Sequence, residues 1–206
     1  MRFLITAGGT REYLDPVRYI TNASSGRMGY ALATAALKAG HSVTLISAPT
    51  ALIPPAGVEM IPVVSAGDMY KAVKKHFKTC DCLIMAAAVS DYTPVDVAKV
   101  KRKKEKKNLT LRLKPTEDIL AWAGQHKKKQ LVVGFALEDR NLKKNAEKKL
   151  ISKNTDMIVA NSPAAIGTDS SCVLLKTPYS GWIEISGNKS MTAQRIIRHV
   201  ISLILR

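Results

Sequence analysis

The first forty residues, Met1 to Gly40, constrain this chain more than any other stretch: MRFLITAGGTREYLDPVRYITNASSGRMGYALATAALKAG. Phe3, Leu4 and Ile5 form a short apolar run that stops at Gly8-Gly9-Thr10, the pattern of a buried parallel strand emptying into a turn. A second turn, Asn22-Ala23-Ser24-Ser25-Gly26, leads into an Ala- and Leu-rich segment that predicts a helix over Arg27 to Ala39, with Gly40 suited to the position after its last turn. Unpaired N–H groups at such a helix start carry about half a positive charge and attract anions. Gly8, Gly9, Gly26 and Gly29 admit two readings, positive φ with close helix-on-strand packing or close approach of a phosphate to the backbone. Thr10, Arg11, Asp15, Arg18, Asn22, Ser24 and Ser25 favour the second, because they gather hydrogen-bonding groups in one long non-helical crossover. Both turns are then expected to converge on phosphorylated ligands, with Gly8 and Gly9 on a nucleotide and Ser24, Ser25 and Gly26 on a substrate.

Strand and helix signals alternate through the chain. Strands are expected at Ser42–Ser47, Glu59–Val64, Cys82–Met85, Leu131–Ala136 and Asp156–Asn161, and helices at Ala66–Lys78, Glu117–Gln125 (capped by Thr116) and Asn141–Ser152. Leu109–Leu113 (LTLRL) alternates and reads as a strand outside the main sheet, while Cys172–Lys176 and Trp182–Ser186 read as a hairpin. Lys189–Arg206 reads as an amphipathic helix with Ile196, Ile197, Val200, Ile201, Ile204 and Leu205 facing inward. The fold class that follows is α/β: a Rossmann-like, mostly parallel sheet with helices on both faces, plus a small antiparallel arm and a C-terminal hairpin. No repeat or linker interrupts it, so residues 1–206 are expected to form a single domain. In such folds ligands sit beyond the carboxyl ends of the strands.

The fourth strand empties into Ala86-Ala87-Ala88-Val89-Ser90-Asp91. Three alanines leave a surface without bulk, fit either to receive a flat base or a pantetheine-like amide or to pack beneath a helix, and Asp91 stands at its rim. Phe135 likewise reads either as core or as a platform for a base. Val97 to Lys107 carries seven basic residues in eleven, the composition of a solvated loop from which one or two lysines could reach a phosphate.

The formal net charge is +16, from 32 basic and 16 acidic residues, which calls for anionic ligands. Aromatics make up only 5% and no nucleic-acid-binding signature appears, so specific nucleic-acid binding is not expected. Cys80, Cys82 and Cys172 are an odd, sparse set without a C-x-x-C pair, which points to reduced thiols and argues against zinc. No apolar run approaches the ~18 residues of a membrane span, and the chain begins at once with a strand, so a soluble, cytoplasmic protein without membrane contact is expected.

Several motifs together resemble the phosphopantothenoylcysteine synthetase family, the synthetase domain of the bacterial bifunctional coenzyme A biosynthesis flavoprotein. They are ITAGGTRE, DPVRYITNASSGRMG, AAAVSDYTP, LTLRL, VGFALED and NAEKKLISKNTDMIVAN, in order along nearly the whole chain. The resemblance implies ligation of 4′-phosphopantothenate to L-cysteine with a nucleoside triphosphate and Mg²⁺, CTP in the bacterial type and ATP in the eukaryotic. Carboxylate attack on the α-phosphate gives an acyl-nucleotidyl intermediate and pyrophosphate, and the cysteine amine then displaces the nucleotide.

By the same resemblance Asn22 handles the acyl intermediate and substrate, and Arg18 reaches the phosphopantothenate of a neighbouring subunit in a homodimer. Ala86, Ala87, Asp91, Phe135, Lys149 and Lys153 match nucleotide or substrate contacts. The family's basic loop maps to Lys101-Arg102-Lys103-Lys104 or to Lys99-Val100-Lys101-Arg102, with Lys101 taken as the catalytic and nucleotide-binding lysine. The nucleotide-contacting turn at Asp118 has Glu117 where the family usually has Pro. Metal ligands are not assigned. A flavin domain is not seen before Met1, so the phosphopantothenoylcysteine decarboxylase step is expected in another protein.

The alternatives are a nicotinamide-binding oxidoreductase and a nucleic-acid-binding module. The first lacks G-x-G-x-x-G and a Tyr-x-x-x-Lys pair, and the chain also lacks a P-loop. The second would explain the charge and would bind in a salt-sensitive way.

Overall fold

The computed structural model describes residues 1–104, 106, 108–163 and 169–204. In chain order, β1 (Arg2–Ala7) is followed by β2 (Arg11–Tyr13), β3 (Tyr19–Thr21), α1 (Arg27–Lys38), β4 (Ser42–Ser47), β5 (Glu59–Pro62), α2 (Ala66–Phe77) and β6 (Cys82–Met85). Next come β7 (Tyr92–Pro94), β8 (Leu113–Pro115), α3 (Ile119–His126), β9 (Leu131–Leu137), α4 (Leu142–Ser152), β10 (Met157–Asn161), β11 (Ser170–Lys176), β12 (Ile183–Asn188) and α5 (Lys189–Ile204). The main sheet has eight strands in the order β12-β11-β10-β9-β6-β1-β4-β5. From β10 to β5 every pairing is parallel, and β11 and β12 extend the sheet as an antiparallel hairpin. This is the Rossmann-like layout that the sequence predicts.

Side chains on β1 point alternately to opposite faces. Phe3, Ile5 and Ala7 join a core beneath α1 and α5 that includes Leu32, Ala36, Val133, Ile196 and Val200. Leu4 enters a second core beneath α2 and α3 with Met69, Val73, Phe77, Leu83 and Leu120. A strand covered on both faces reads as a continuous apolar run for this reason. Burial of each large aliphatic or aromatic side chain contributes about 1.5–3 kcal/mol, so β1 holds both layers together. Ser65 and Asp68 cap the start of α2 reciprocally, which satisfies donors that the first turn cannot pair internally.

The structure departs from the expected elements in the arm that follows the alanines. The extra strand is Leu113–Pro115, paired with Tyr92–Pro94, rather than Leu109–Leu113. Leu109 is 59% exposed, so the LTLRL alternation has no buried face to stabilise it. Thr116 does not cap α3: its hydroxyl donates to the Ser90 carbonyl at 2.6 Å, and Asp118 caps instead, accepting from Ala121 N–H at 2.8 Å. A carboxylate is the better acceptor at a positive helix end, and the helix starts at Ile119 in consequence. The crossover between β1 and α1 is non-helical as expected, and it contains a hairpin, Arg11–Tyr13 against Tyr19–Thr21. In α5 the expected inward placement of Ile204 and Leu205 falls on side chains outside the described residues, whereas Ile196, Ile197 and Val200 are buried as expected. Among the described residues no helix is long and apolar enough to cross a membrane.

Gly29 settles one of the open glycine readings. A Cβ there would lie 2.5 Å from Ala7 Cβ and 3.0 Å from the Thr6 carbonyl oxygen, so its absence lets α1 rest directly on β1. Gly29→Ala is expected to cost about 1–3 kcal/mol by overpacking, read as a lowered midpoint in urea denaturation with an unchanged slope.

Candidate functional site

At the carboxyl ends of the strands, the end of β1 is laced to the end of β6. Gly9 and Ala88 form a parallel bridge, Ala88 N–H donates to the Gly8 carbonyl at 2.9 Å, and Thr10 N–H returns a bond to the Ala88 carbonyl at 3.2 Å. The buried Thr6 hydroxyl accepts from Ala87 N–H at 3.2 Å, and Thr10 Oγ1 accepts from Ser90 N–H at 2.9 Å. Asn22 Nδ2 donates to the same Ala88 carbonyl at 3.1 Å, which fastens the second turn over the alanine ledge. Gly26 has φ +76°, and a Cβ on it would meet Gly8 Cα and N at 3.3 Å. Only glycine gives both the left-handed backbone and this approach at low cost.

These contacts frame a cleft of about 630 Å³. One wall is Asn22–Met28, the turn and opening of α1, whose N-terminus has no side-chain cap. Ala86, Ala87 and Ala88 form the floor, with Asp91 at the rim. The opposite wall carries Thr116–Leu120, Phe135 and Lys149. Phe135 is half-buried and packs against the core while also lining the cleft, so the two readings of this ring are compatible.

Lys149 is held in place by a 2.8 Å bond from Nζ to the Phe135 carbonyl. Burial depresses its pKa, an effect that nearby Asp118, Glu138 and Asp91 oppose. Lys153 donates to Asp118 Oδ2 at 2.6 Å. Burial would raise the Asp118 pKa, but Lys153, Ala121 N–H and Lys149 outweigh it and hold the carboxyl below its ordinary value.

Of the residues expected at a site, Asn22, Ser24, Ser25, Gly26, Ala86, Ala87, Asp91, Asp118, Phe135 and Lys149 line this one cleft. Gly8 and Gly9 lie beneath its wall and shape it from below, and Lys153 stands behind Asp118. Arg18 and Lys101 are outside the lining; Lys101 is exposed, and Arg18 donates to the Arg102 carbonyl on the basic loop.

Sequence reasoning missed the far end of the cleft. There Arg27, which pairs with Asp169 at 2.6 Å, meets Asn161, Ser171 and Lys189. Burial, with Arg27 nearby, depresses the pKa of Lys189. The one hint in the sequence was a lysine opening a helix, where the dipole disfavours a cation. Among the described residues no group of three or more His, Cys, Asp or Glu side chains is placed to hold a metal ion. The carboxylates among the cleft-lining residues are Asp91, Glu117 and Asp118, of which Asp118 is paired with Lys153.

The molecule is thus an α/β protein with a cleft at the strand ends that has a small-residue floor and mixed charge, Arg27, Lys149 and Lys189 standing among Asp91, Glu117 and Asp118, the place where doubly wound folds receive ligands. A family model described as the DNA/pantothenate metabolism flavoprotein C-terminal domain matches residues 1–204, and the chain belongs to that family. It is 51% identical over 165 residues to the coenzyme A biosynthesis bifunctional protein CoaBC of Bacillus subtilis, covering 80% of this chain and 41% of that protein. A crystal structure of the C-terminal domain of a coenzyme A biosynthesis bifunctional protein CoaBC superposes with a TM-score of 0.86 at 40% identity, over 99% of this chain and 95% of the other. The DNA/pantothenate metabolism flavoprotein from Streptococcus pneumoniae gives a TM-score of 0.87 at 25% identity, over 98% and 99% of the two chains. The chain spans 41% to 58% of the length of curated relatives that it matches.

Asp118→Ala removes both the α3 cap and the partner of Lys153, and is expected to cost about 1 kcal/mol at neutral pH. Because the folded-state pKa is below 3.8, the ionic part of this contribution is complete above that value and is lost as pH falls through the folded pKa. Paired thermal melts of wild type and variant should therefore converge in acid.

Proposed function

We propose that the protein is a phosphopantothenate–cysteine ligase of coenzyme A biosynthesis, a carbon–nitrogen ligase using CTP or ATP. The observation that carries this reading is the convergence of the Asn22–Gly26 turn, the Ala86–Ala88 floor and the Phe135–Lys149 wall on one cleft, in a chain that shares its family with proteins named for coenzyme A biosynthesis. A carboxylate attacking a triphosphate must overcome repulsion between anions, so the chemistry needs cations and preorganised N–H donors aimed at phosphoryl oxygens. The uncapped start of α1 and Lys149 supply such groups, while Ala86 and Ala87 leave room for a flat base or an amide to lie on the backbone.

In the first step the phosphopantothenate carboxylate bonds to the α-phosphorus and the bond to pyrophosphate breaks. In the second, the cysteine amine attacks the acyl carbon, the nucleoside monophosphate leaves and the amine loses a proton. Asn22 orients the acyl group from its anchor on the Ala88 carbonyl, Phe135 stacks on the base, Lys149 and Lys153 face the phosphates, and Lys101, on the loop joined to Arg18 through Arg102, serves the same cleft as Arg18. Asp91 and Glu117 are the cleft carboxylates that would hold Mg²⁺ brought in with the triphosphate, and the ion would supply neutralisation of phosphate charge. Phosphopantothenoylcysteine decarboxylase would consume the product.

The active form in this reading is a cytoplasmic homodimer of single-domain subunits, with Arg18 serving the neighbouring cleft. Exposed Val17 and Tyr19 on the β2–β3 hairpin and Tyr92 and Leu113 on the arm support it, since apolar surface of this kind is suited to an interface. Light scattering at working concentration should give the dimer mass, and a monomer would remove Arg18 from the site.

With phosphopantothenate and CTP or ATP, pyrophosphate release should depend on L-cysteine for turnover, and the ratio of the CTP and ATP rates identifies the nucleotide. Asn22→Ala should lower amide formation on the order of a hundredfold with nucleotide binding retained. Unchanged turnover would reject the role of Asn22.

A further inference from the structure

The β2–β3 hairpin and the basic loop after β7 lie far apart in sequence, yet they meet at one carboxylate. Asp15 has a side chain that is 0% exposed. Its Oδ1 accepts from Val17 N–H and Arg18 N–H, each at 2.9 Å, and closes the hairpin turn. Its Oδ2 accepts from Arg102 N–H at 3.1 Å and lies 3.5 Å from Arg18 Nη1. Arg18 Nη2 completes a ring by donating to the Arg102 carbonyl at 2.5 Å. A second bond, from Ala98 N–H to the Leu14 carbonyl at 3.0 Å, ties the start of the loop to the same turn.

The main chain of Arg102 makes the tether, its N–H on Asp15 and its carbonyl under Arg18, while among the described residues Arg102 Nε is buried without a hydrogen-bond partner. Lys101, Lys103 and Lys104 on either side are exposed. The pinned residue thus sets where these lysines stand. Burial would raise the pKa of Asp15, but the N–H donors of Val17, Arg102 and Arg18 and the Arg18 guanidinium outweigh it and keep the group ionised.

We propose that Asp15 is a positioning residue that fixes Arg18 and the basic loop 99–104 as one unit, so that both present their charges to the phosphate-bearing ligands from a common anchor. The role at the ligands rests on the ligase reading above; the tether itself does not. An unanchored loop of lysines is solvated and screened and contributes little to phosphate binding. A loop fastened at its centre has already lost the conformational freedom that binding would otherwise remove.

Two substitutions isolate the tether. Asp15→Asn retains an oxygen for Val17 N–H and Arg18 N–H, while its amide sets a donor against Arg102 N–H, so the turn is kept and the direct bond from Asp15 to the loop is lost, loosening it. Arg102→Pro removes the N–H without touching Asp15, and Arg102→Ala is its control because the N–H remains. Tryptic cleavage after Lys103 and Lys104 should accelerate roughly tenfold in Asp15→Asn and Arg102→Pro over wild type and Arg102→Ala. In turnover the same two variants should raise KM for the triphosphate more than they lower kcat, with the thermal midpoint of Arg102→Pro unchanged.

Wild-type cleavage rates in both variants would overturn the proposal. So would loss of thermal stability in Asp15→Asn alone, with Arg102→Pro matching Arg102→Ala in cleavage and KM, since Asp15 would then serve only the hairpin turn. If the wild-type protein shows no ligase turnover, the ligase reading fails, and the cleavage rates still decide the tether.

Discussion

The carbonyl of Ala88 is the point on which the site depends. It lies just past the end of β6, receives Thr10 N–H from the segment after β1 and receives the Asn22 amide from the second turn. One acceptor with two lone pairs thus joins three parts of the chain. A bulkier floor or a longer turn would part them, so Ala86–Ala88 and Gly8-Gly9 are small for a geometric reason. The buried hydroxyls of Thr6 and Thr10 complete the lacing, and buried polar groups paired in this way specify one arrangement over its competitors.

Charge is distributed unevenly around this frame. Lys149 and Lys153 are restrained by a carbonyl and a carboxylate, the first in the last turn of α4 and the second just after it. The lysines of the loop after β7 are exposed and owe their placement to the main chain of Arg102. In the ligase reading proposed above, two kinds of cation serve the anionic ligands: one set preformed, the other carried on a tethered segment. Preformed donors act without reorganisation at the moment of reaction, whereas a segment can adapt to ligands of different length.

Much of this was legible in the sequence because the signals were local. β1, β4, β6 and β9 are apolar runs bounded by turn residues, and their order alone defines a sheet covered on both faces. The Asn22–Gly26 turn, the alanine floor and Phe135 each sit at a strand end or helix start, which is where such folds bind ligands. The arm was misread because LTLRL alternates without having a face to bury, a condition that only tertiary context reveals. Thr116 and Asp118 both qualify as caps by type, and the competing Ser90 carbonyl decided between them. Arg27, Ser171 and Lys189 were invisible as a group, since the β11–β12 hairpin brings them together across most of the chain.

That hairpin has a consequence for how the protein is made. Ribosomal synthesis delivers β1, the glycine bends and the alanine floor early, but Lys189 emerges only after β12. A nascent polypeptide can hence assemble most of its layered core while the basin for anions still lacks its last side. The cleft therefore gains its full lining only when the segment after β12 has been added to the chain.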